Sequence, residues 1–147
     1  MKNKSALAFD FGARRIGVAF ANRISGAATA LTTLQTRDAA SADREIKALI
    51  KEWTPDALVI GVPYNMDGTE SGLTTLAINF GTHLATMTGL PVDQVDERLT
   101  SAEAQMMLKE QRRTGQRRKK IRREDIDSLA AQLIAETWLR DTEKNNP

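Results

Sequence analysis

Apolar positions recur along this chain with two different periods. Leu7–Phe11, Ile16–Ala21 and Ala27–Leu34 are short apolar runs joined only by GARR and NRISG, which predicts three strands in an antiparallel meander. From Ala39 the spacing becomes helical, through Ala42, Ile46, Leu49, Ile50 and Trp53, and Pro55 ends the helix. Ala57–Gly61 is apolar throughout, as expected of a parallel strand covered on both faces. Leu73, Leu76, Ala77, Phe80, Leu84 and Met87 form the stripe of a second helix that stops at Gly89. Pro91–Val95 predicts a fifth strand, and Thr100 with Glu103 a capping box that opens a third helix. A last helix is expected from about Asp125 to Arg140, buried through Ile126, Leu129, Ala130, Leu133 and Ile134. The predicted order is βββαβαβαα.

One carboxylate interrupts the first of these runs. Asp10 lies between Phe9 and Phe11, where burial is costly unless a cation or hydrogen-bond donors meet it. Gly12 removes a side chain where a ligand or a metal-bound phosphate would approach. Alone, Asp-x-Gly fits equally well a turn-capping acid bonded to backbone amides. Two further segments, VDERLTS (Val95–Ser101) and DIDSLAA (Asp125–Ala131), also set acids at the borders of apolar elements. The element order brings these acids together. With the first strand central, the fifth strand ends at Glu97, and the last helix sets Asp127 over the same sheet end. Carboxylates are hard oxygen donors suited to Mg²⁺ or Mn²⁺. Two such ions ~3.5–4 Å apart activate a water and stabilise the departing oxygen of a phosphodiester. Asp10, Glu97 and Asp127 are therefore the expected metal-binding and catalytic residues.

Composition narrows the chemistry further. The 147 residues, without repeat or low-complexity linker, predict one domain over 1–147, large enough for a real core. There is no cysteine, which excludes disulfides, thiolate–zinc sites and a cysteine nucleophile. The single histidine, His83, excludes a multi-histidine metal site and reads as an ordinary helix residue. The N-terminal run lacks the features of a signal peptide, and no stretch is long enough to span a membrane, so a cytoplasmic protein is expected.

The net charge of +2 conceals an asymmetry. Residues Lys109–Arg123 hold nine of the 21 basic residues against one acid, Glu110, while the rest carries 12 basic and 18 acidic residues. Arg112, Arg113, Arg117, Arg118, Lys119, Lys120, Arg122 and Arg123 surround Gly115 with only Ile121 to bury, which predicts a mobile, solvated loop over 110–123 before the last helix. A merely solubilising strip is the alternative. A single-sign block beside a carboxylate site favours a nucleic-acid partner, without choosing RNA over DNA.

The motifs carry a family resemblance. D-F-G-x-x-R-I-G-V-A (Asp10–Ala19), G-V-P-Y-N-M-D-G-T-E (Gly61–Glu70), D-E-R-L-T-S-x-E-A (Asp96–Ala104) and I-D-S-L-A-A (Ile126–Ala131) resemble the four blocks of the YqgF family, in order and across nearly the whole chain. That resemblance implies a ribonuclease H-like α/β fold, a five-stranded mixed sheet of three antiparallel and two parallel strands with helices on both faces. It implies a metal-dependent nuclease acting on precursor 16S rRNA or on Holliday junctions, with structured RNA or the assembling small ribosomal subunit as partner. The family acids fall on Asp10, Glu97 and Asp127. The match selects Glu97 over Asp96, since successive strand residues face opposite ways. Asp125, two residues before Asp127, is placed to cap or open the last helix. Asp67 reads as a turn residue. Arg15 and Arg98 lie in matched blocks and either contact phosphate or neutralise the acids. Some homologues carry lysine after the last acid, where this chain has Ser128.

Two other classes remain. An RNA-binding assembly factor without activity is disfavoured by the intact acid triple. An actin-like ATPase also opens with strand–Asp-x-Gly–turn–strand, but it duplicates the domain, and this chain shows neither a repeat nor a phosphate loop.

Overall fold

The computed structural model describes residues 3–97 and 123–144, with the side chains of the last helix described over 127–140. The strands are β1 (Ser5–Phe11), β2 (Arg15–Asn22), β3 (Ala27–Gln35), β4 (Ala57–Val62) and β5 (Val92–Asp96). The helices among the described residues are α1 (Ala39–Trp53), α2 (Gly72–Thr88) and α3 (Arg123–Lys144). The sheet order is β3-β2-β1-β4-β5, with β1–β2 and β2–β3 antiparallel and β1–β4 and β4–β5 parallel. This is the expected ribonuclease H-like arrangement, with β1 central. The third helix predicted from Thr100 lies outside the described residues.

Strand alternation gives the sheet two unlike faces. Leu7, Phe9, Ile16, Val18, Leu58, Ile60 and Val62 form one, filled from α1 and α2 by Ile46 and Leu84. The other consists largely of small residues, Ala6, Ala8, Ala19, Ala21 and Ala57 with Val59, and is covered by Ala131, Ile134, Ala135, Trp138 and Leu139 of α3. Trp138 fixes the helix there: its indole N–H donates to Asp93 Oδ2 at 2.9 Å, and the Arg23 guanidinium lies 4.2 Å from its ring centre.

The helix ends are set by local chemistry. Asp38 caps α1 by accepting from the Ala40 N–H, and Thr54 closes it with φ 45° before Pro55. Ser71 and Thr74 form a reciprocal capping box on α2, and Gly89 ends that helix with φ 72°. The capping box turns Thr74 inward, where its hydroxyl donates to the Pro63 carbonyl. The buried stripe of α2 is consequently Thr74, Ala77, Gly81 and Leu84, and the predicted core residues Leu73 and Leu76 are exposed. In α3, Leu129 and Ala130 are half-buried, and burial is carried further along by Ala131, Leu133, Ile134, Ala135, Trp138 and Leu139. The side chain of Ile126 lies outside the described residues.

The close seating of α3 depends on Gly17, which pairs with Asp10 across the β1–β2 ladder. A Cβ at Gly17 would overlap the Asp127 carbonyl and approach the Ser128 nitrogen to 3.1 Å. Gly17→Ala is expected to push the start of α3 off the sheet and destabilise the fold by about 1–3 kcal/mol. Gly72→Ala, which meets no atom within 4 Å, is expected to be neutral or stabilising. Denaturant midpoints of the two variants check this.

Candidate active site

The small-residue face ends in acids. Asp10 follows Ala6 and Ala8 in the row of β1 that faces α3. Two strands away, Glu97 follows β5 directly, and its side chain crosses over Gly61 of β4. A Cβ at Gly61 would lie 2.5 Å from Glu97 Oε1 and overlap the Ile134 side chain of α3. A missing side chain on β4 thus lets Glu97 reach back toward β1. Gly17 plays the same part for the start of α3, which carries Asp127.

Asp10 and Glu97 share a side-chain hydrogen bond. Burial pushes the Asp10 carboxyl well above its ordinary value, and the charge of Glu97, their hydrogen bond and the charge of Asp127 push it the same way. Burial also raises Glu97, Asp96 adding to the rise, while the hydrogen bond from Asp10 works against it. Asp127 is balanced differently: Arg15 Nε donates to its Oδ2 at 2.7 Å, with both side chains about a quarter exposed (23% and 27%). Of the two roles open to Arg15, neutralising the acids is the one it occupies here.

The three predicted acids thus gather at one end of the sheet, with Asp10 and Glu97 in contact and Asp127 acting on Asp10 through its charge. They do not close round a point: among the described residues no three acidic, histidine or cysteine side chains are grouped so as to hold a metal ion. With Asp10 bonded to Glu97 and Asp127 drawn to Arg15, each acid already has a partner. The donor chemistry still fits a hard divalent cation, since two half-buried carboxyls in contact, with a third nearby, offer only hard oxygen donors, and Asp10, Glu97 and Asp127 would hold it. Arg98, Arg112, Arg113, Arg117, Arg118, Lys119, Lys120 and Arg122 lie outside the described residues, and Arg123 begins α3 with its side chain undescribed.

Other motif residues take structural roles. Gly12 closes the β1–β2 turn by donating its N–H to the Arg15 carbonyl at 2.9 Å, and a Cβ there would meet that oxygen at 2.8 Å. Its small size therefore serves the turn, in place of the expected ligand approach. Asp67 accepts from the Thr69 N–H at 3.0 Å, as a turn acid does. His83 meets Asp43 at 3.0 Å, an exposed pair between α2 and α1. Gly17 and Gly61 are positioning residues that the sequence reading missed, and a glycine inside a strand is the signal that could have found them.

The raised carboxyls set a pH dependence. An acid whose folded value exceeds its unfolded one stabilises the fold at low pH and loses that contribution as pH rises from the ordinary 3.8 of Asp10 through the folded value. The cation-free protein is therefore expected to lose stability on going from acid to neutral pH. Asp10→Asn, neutral at every pH, is expected to flatten that loss and be more stable at neutral pH by on the order of 1 kcal/mol. Thermal midpoints of both proteins against pH, in chelator, check the sign.

No helix among the described residues is long and apolar enough to cross a membrane. The family description "RuvX: Holliday junction resolvase" matches residues 4–141. A Coxiella burnetii protein named "Putative pre-16S rRNA nuclease" is 44% identical over 140 residues, 95% of each chain. A Chromohalobacter salexigens protein of the same name is 44% identical over 135 residues, 92% of this chain and 88% of that one. In fold, the chain is similar to Thermus thermophilus RuvC in complex with a Holliday junction substrate, with a TM-score of 0.57 at 16% identity, covering 94% of this chain and 96% of that one. The chain therefore belongs to the RuvX family and, with it, to the nucleases, hydrolases of phosphodiester bonds.

Proposed function

We propose that this nuclease trims the 5′ end of precursor 16S rRNA in the cytoplasm, in a reaction that depends on Mg²⁺ or Mn²⁺ held by Asp10, Glu97 and Asp127. The observation that carries the metal site is the hydrogen-bonded Asp10–Glu97 pair, two half-buried acids both raised by burial, with the charge of Glu97 raising Asp10 further. The choice of RNA is supported by the name that the relatives at 44% identity bear. The basic block Lys109–Arg123, nine cations against one acid, supports a polyanionic substrate.

A divalent cation bound by these acids supplies an activated water and a counter-charge for the departing oxygen. The protein's own groups do the rest. Asp10 and Glu97, which share a hydrogen bond, would with Asp127 be the carboxylate ligands of such a cation. Gly61 and Gly17 leave room for Glu97 and the start of α3, holding the donors on three different elements at fixed separations. Arg15, bonded to Asp127 before substrate arrives, is a ready counter-charge for a phosphate oxygen. No histidine or lysine base is required.

A four-way DNA junction is the second reading, supported by the family description and by the junction bound in the structural relative. Cutting a symmetric junction calls for a two-fold dimer. The test is cleavage of an RNA spanning the 5′ boundary of 16S rRNA, beside a four-way junction, with Mn²⁺, Mg²⁺ or chelator. Cleavage of the RNA at the mature 5′ end, requiring cation and reduced on the order of 10³-fold, about 4 kcal/mol, by Asp10→Asn, is expected. Junction cleavage by a dimer with the RNA left intact would move the protein to the second reading. Activity surviving in Asp10→Asn would refute the site.

A further inference from the structure

The β1–β2 turn and the end of β3 enclose a hollow of about 410 Å³ lined by Ala13, Arg14, Arg15, Gln35, Thr36 and Arg37. Half of that lining is arginine. Arg15 has its acid, Asp127. Arg14 and Arg37 are exposed and have no side-chain partner among the described residues. The acid next to Arg37, Asp38, is engaged as the cap of α1.

The fold does not need these charges. Main-chain and hydroxyl bonds build the frame: Gly12 N–H to the Arg15 carbonyl at 2.9 Å, Thr36 N–H to the Arg14 carbonyl at 3.0 Å, and Thr36 Oγ1 to the Ala13 carbonyl at 2.7 Å. The ladder pair Arg15–Gln35 joins the two rims. Three guanidinium groups round one hollow repel each other, and two of them lack a counter-charge among the described residues. A planar fork of N–H donors suits phosphate oxygens above other anions of this size. The position adds a second argument, because Arg15 belongs both to the hollow and to the acid cluster. Through Arg15 the hollow adjoins the acids, so a strand lying across the acids would run along this rim.

We propose that the hollow binds a phosphodiester of the substrate strand adjacent to the one that is cut, with Arg14 and Arg37 as its ligands and Arg15 shared with Asp127. The proposal rests on the reading that Asp10, Glu97 and Asp127 cut nucleic acid. It predicts binding that depends on salt and is independent of base sequence, through Arg14, an unspecified position of the first motif block, and Arg37, which lies outside every block.

The test compares wild type with Arg14→Gln, Arg37→Gln and the double variant, on an RNA with a stem and a single-stranded flank. Binding is measured across a salt series in chelator, so that the RNA stays intact, and cleavage is measured separately with Mn²⁺. The slope of log K against log salt is expected to fall by about 0.7–0.9 for each arginine removed. KM is expected to rise about tenfold in the double variant with kcat within about twofold, the pattern of lost uniform binding. Thermal midpoints should not move, because both side chains are exposed. An unchanged slope and KM would overturn the proposal, as would a fall in kcat alone. Protection of wild type by inorganic phosphate, without any change in RNA binding by the variants, would also overturn it by making the hollow a small-anion site. The cleavage reading fails separately, when wild type leaves RNA and junction DNA intact with Mn²⁺ present. The salt slopes are read without cleavage.

Discussion

The site depends on how closely α3 lies against the sheet. Ala6, Ala8, Ala19, Ala21 and Ala57 make a floor with few protruding side chains, and Gly17 removes the last obstruction beneath the Asp127 carbonyl. Larger side chains on that floor would bury more apolar area per residue, but would also hold the helix away and take Asp127 from the neighbourhood of Asp10. The lost area is made up from the helix side, where Trp138, Ile134 and Leu139 fill the space above the alanines. Asp93 and Arg23 then hold Trp138 in register, so the far end of α3 fixes the position of its start.

That placement forces unfavourable electrostatics, and the protein answers in two ways. Asp10 and Glu97 are relieved by a shared proton, Asp127 by Arg15. Neither solution is the one an apolar core would choose, since buried carboxyls and an arginine pair stabilise a fold less than hydrophobic residues of the same volume. The repulsion that remains is available to bind a positive charge. A site of this kind is weakest as structure in the state where it is strongest as a ligand for cations, with all three acids ionised. On the proposed function the surrounding arginines suit the same purpose, because a substrate strand would bring its own negative charge to them.

Much of this was legible in the chain. The five strands, α1 and α2 follow from period and punctuation, and Asp10 announced itself as a carboxylate inside an apolar strand. What escaped was set by contacts between distant elements. Leu73 and Leu76 have helical spacing suitable for the core, yet the Ser71–Thr74 capping box and the Pro63 carbonyl rotate Thr74 inward in their place. Gly12 was read as an opening for a ligand, and the turn itself fills that space with the Arg15 carbonyl. Arg14 and Arg37 lie more than twenty positions apart in sequence, and only the β2–β3 pairing brings them to one hollow. The partnership of Arg15 with Asp127 spans 112 positions and left no local signal.

On the proposed metal site, a cation takes the place of the proton that Asp10 and Glu97 share. Proton release on adding Mn²⁺ tests it most directly, measured by titration calorimetry just below neutral pH in buffers of different ionisation enthalpy. Mn²⁺ binding is expected to release protons, and Asp10→Asn to lose both the binding and the release. Binding of Mn²⁺ without proton release, and with undiminished affinity in Asp10→Asn, would contradict it.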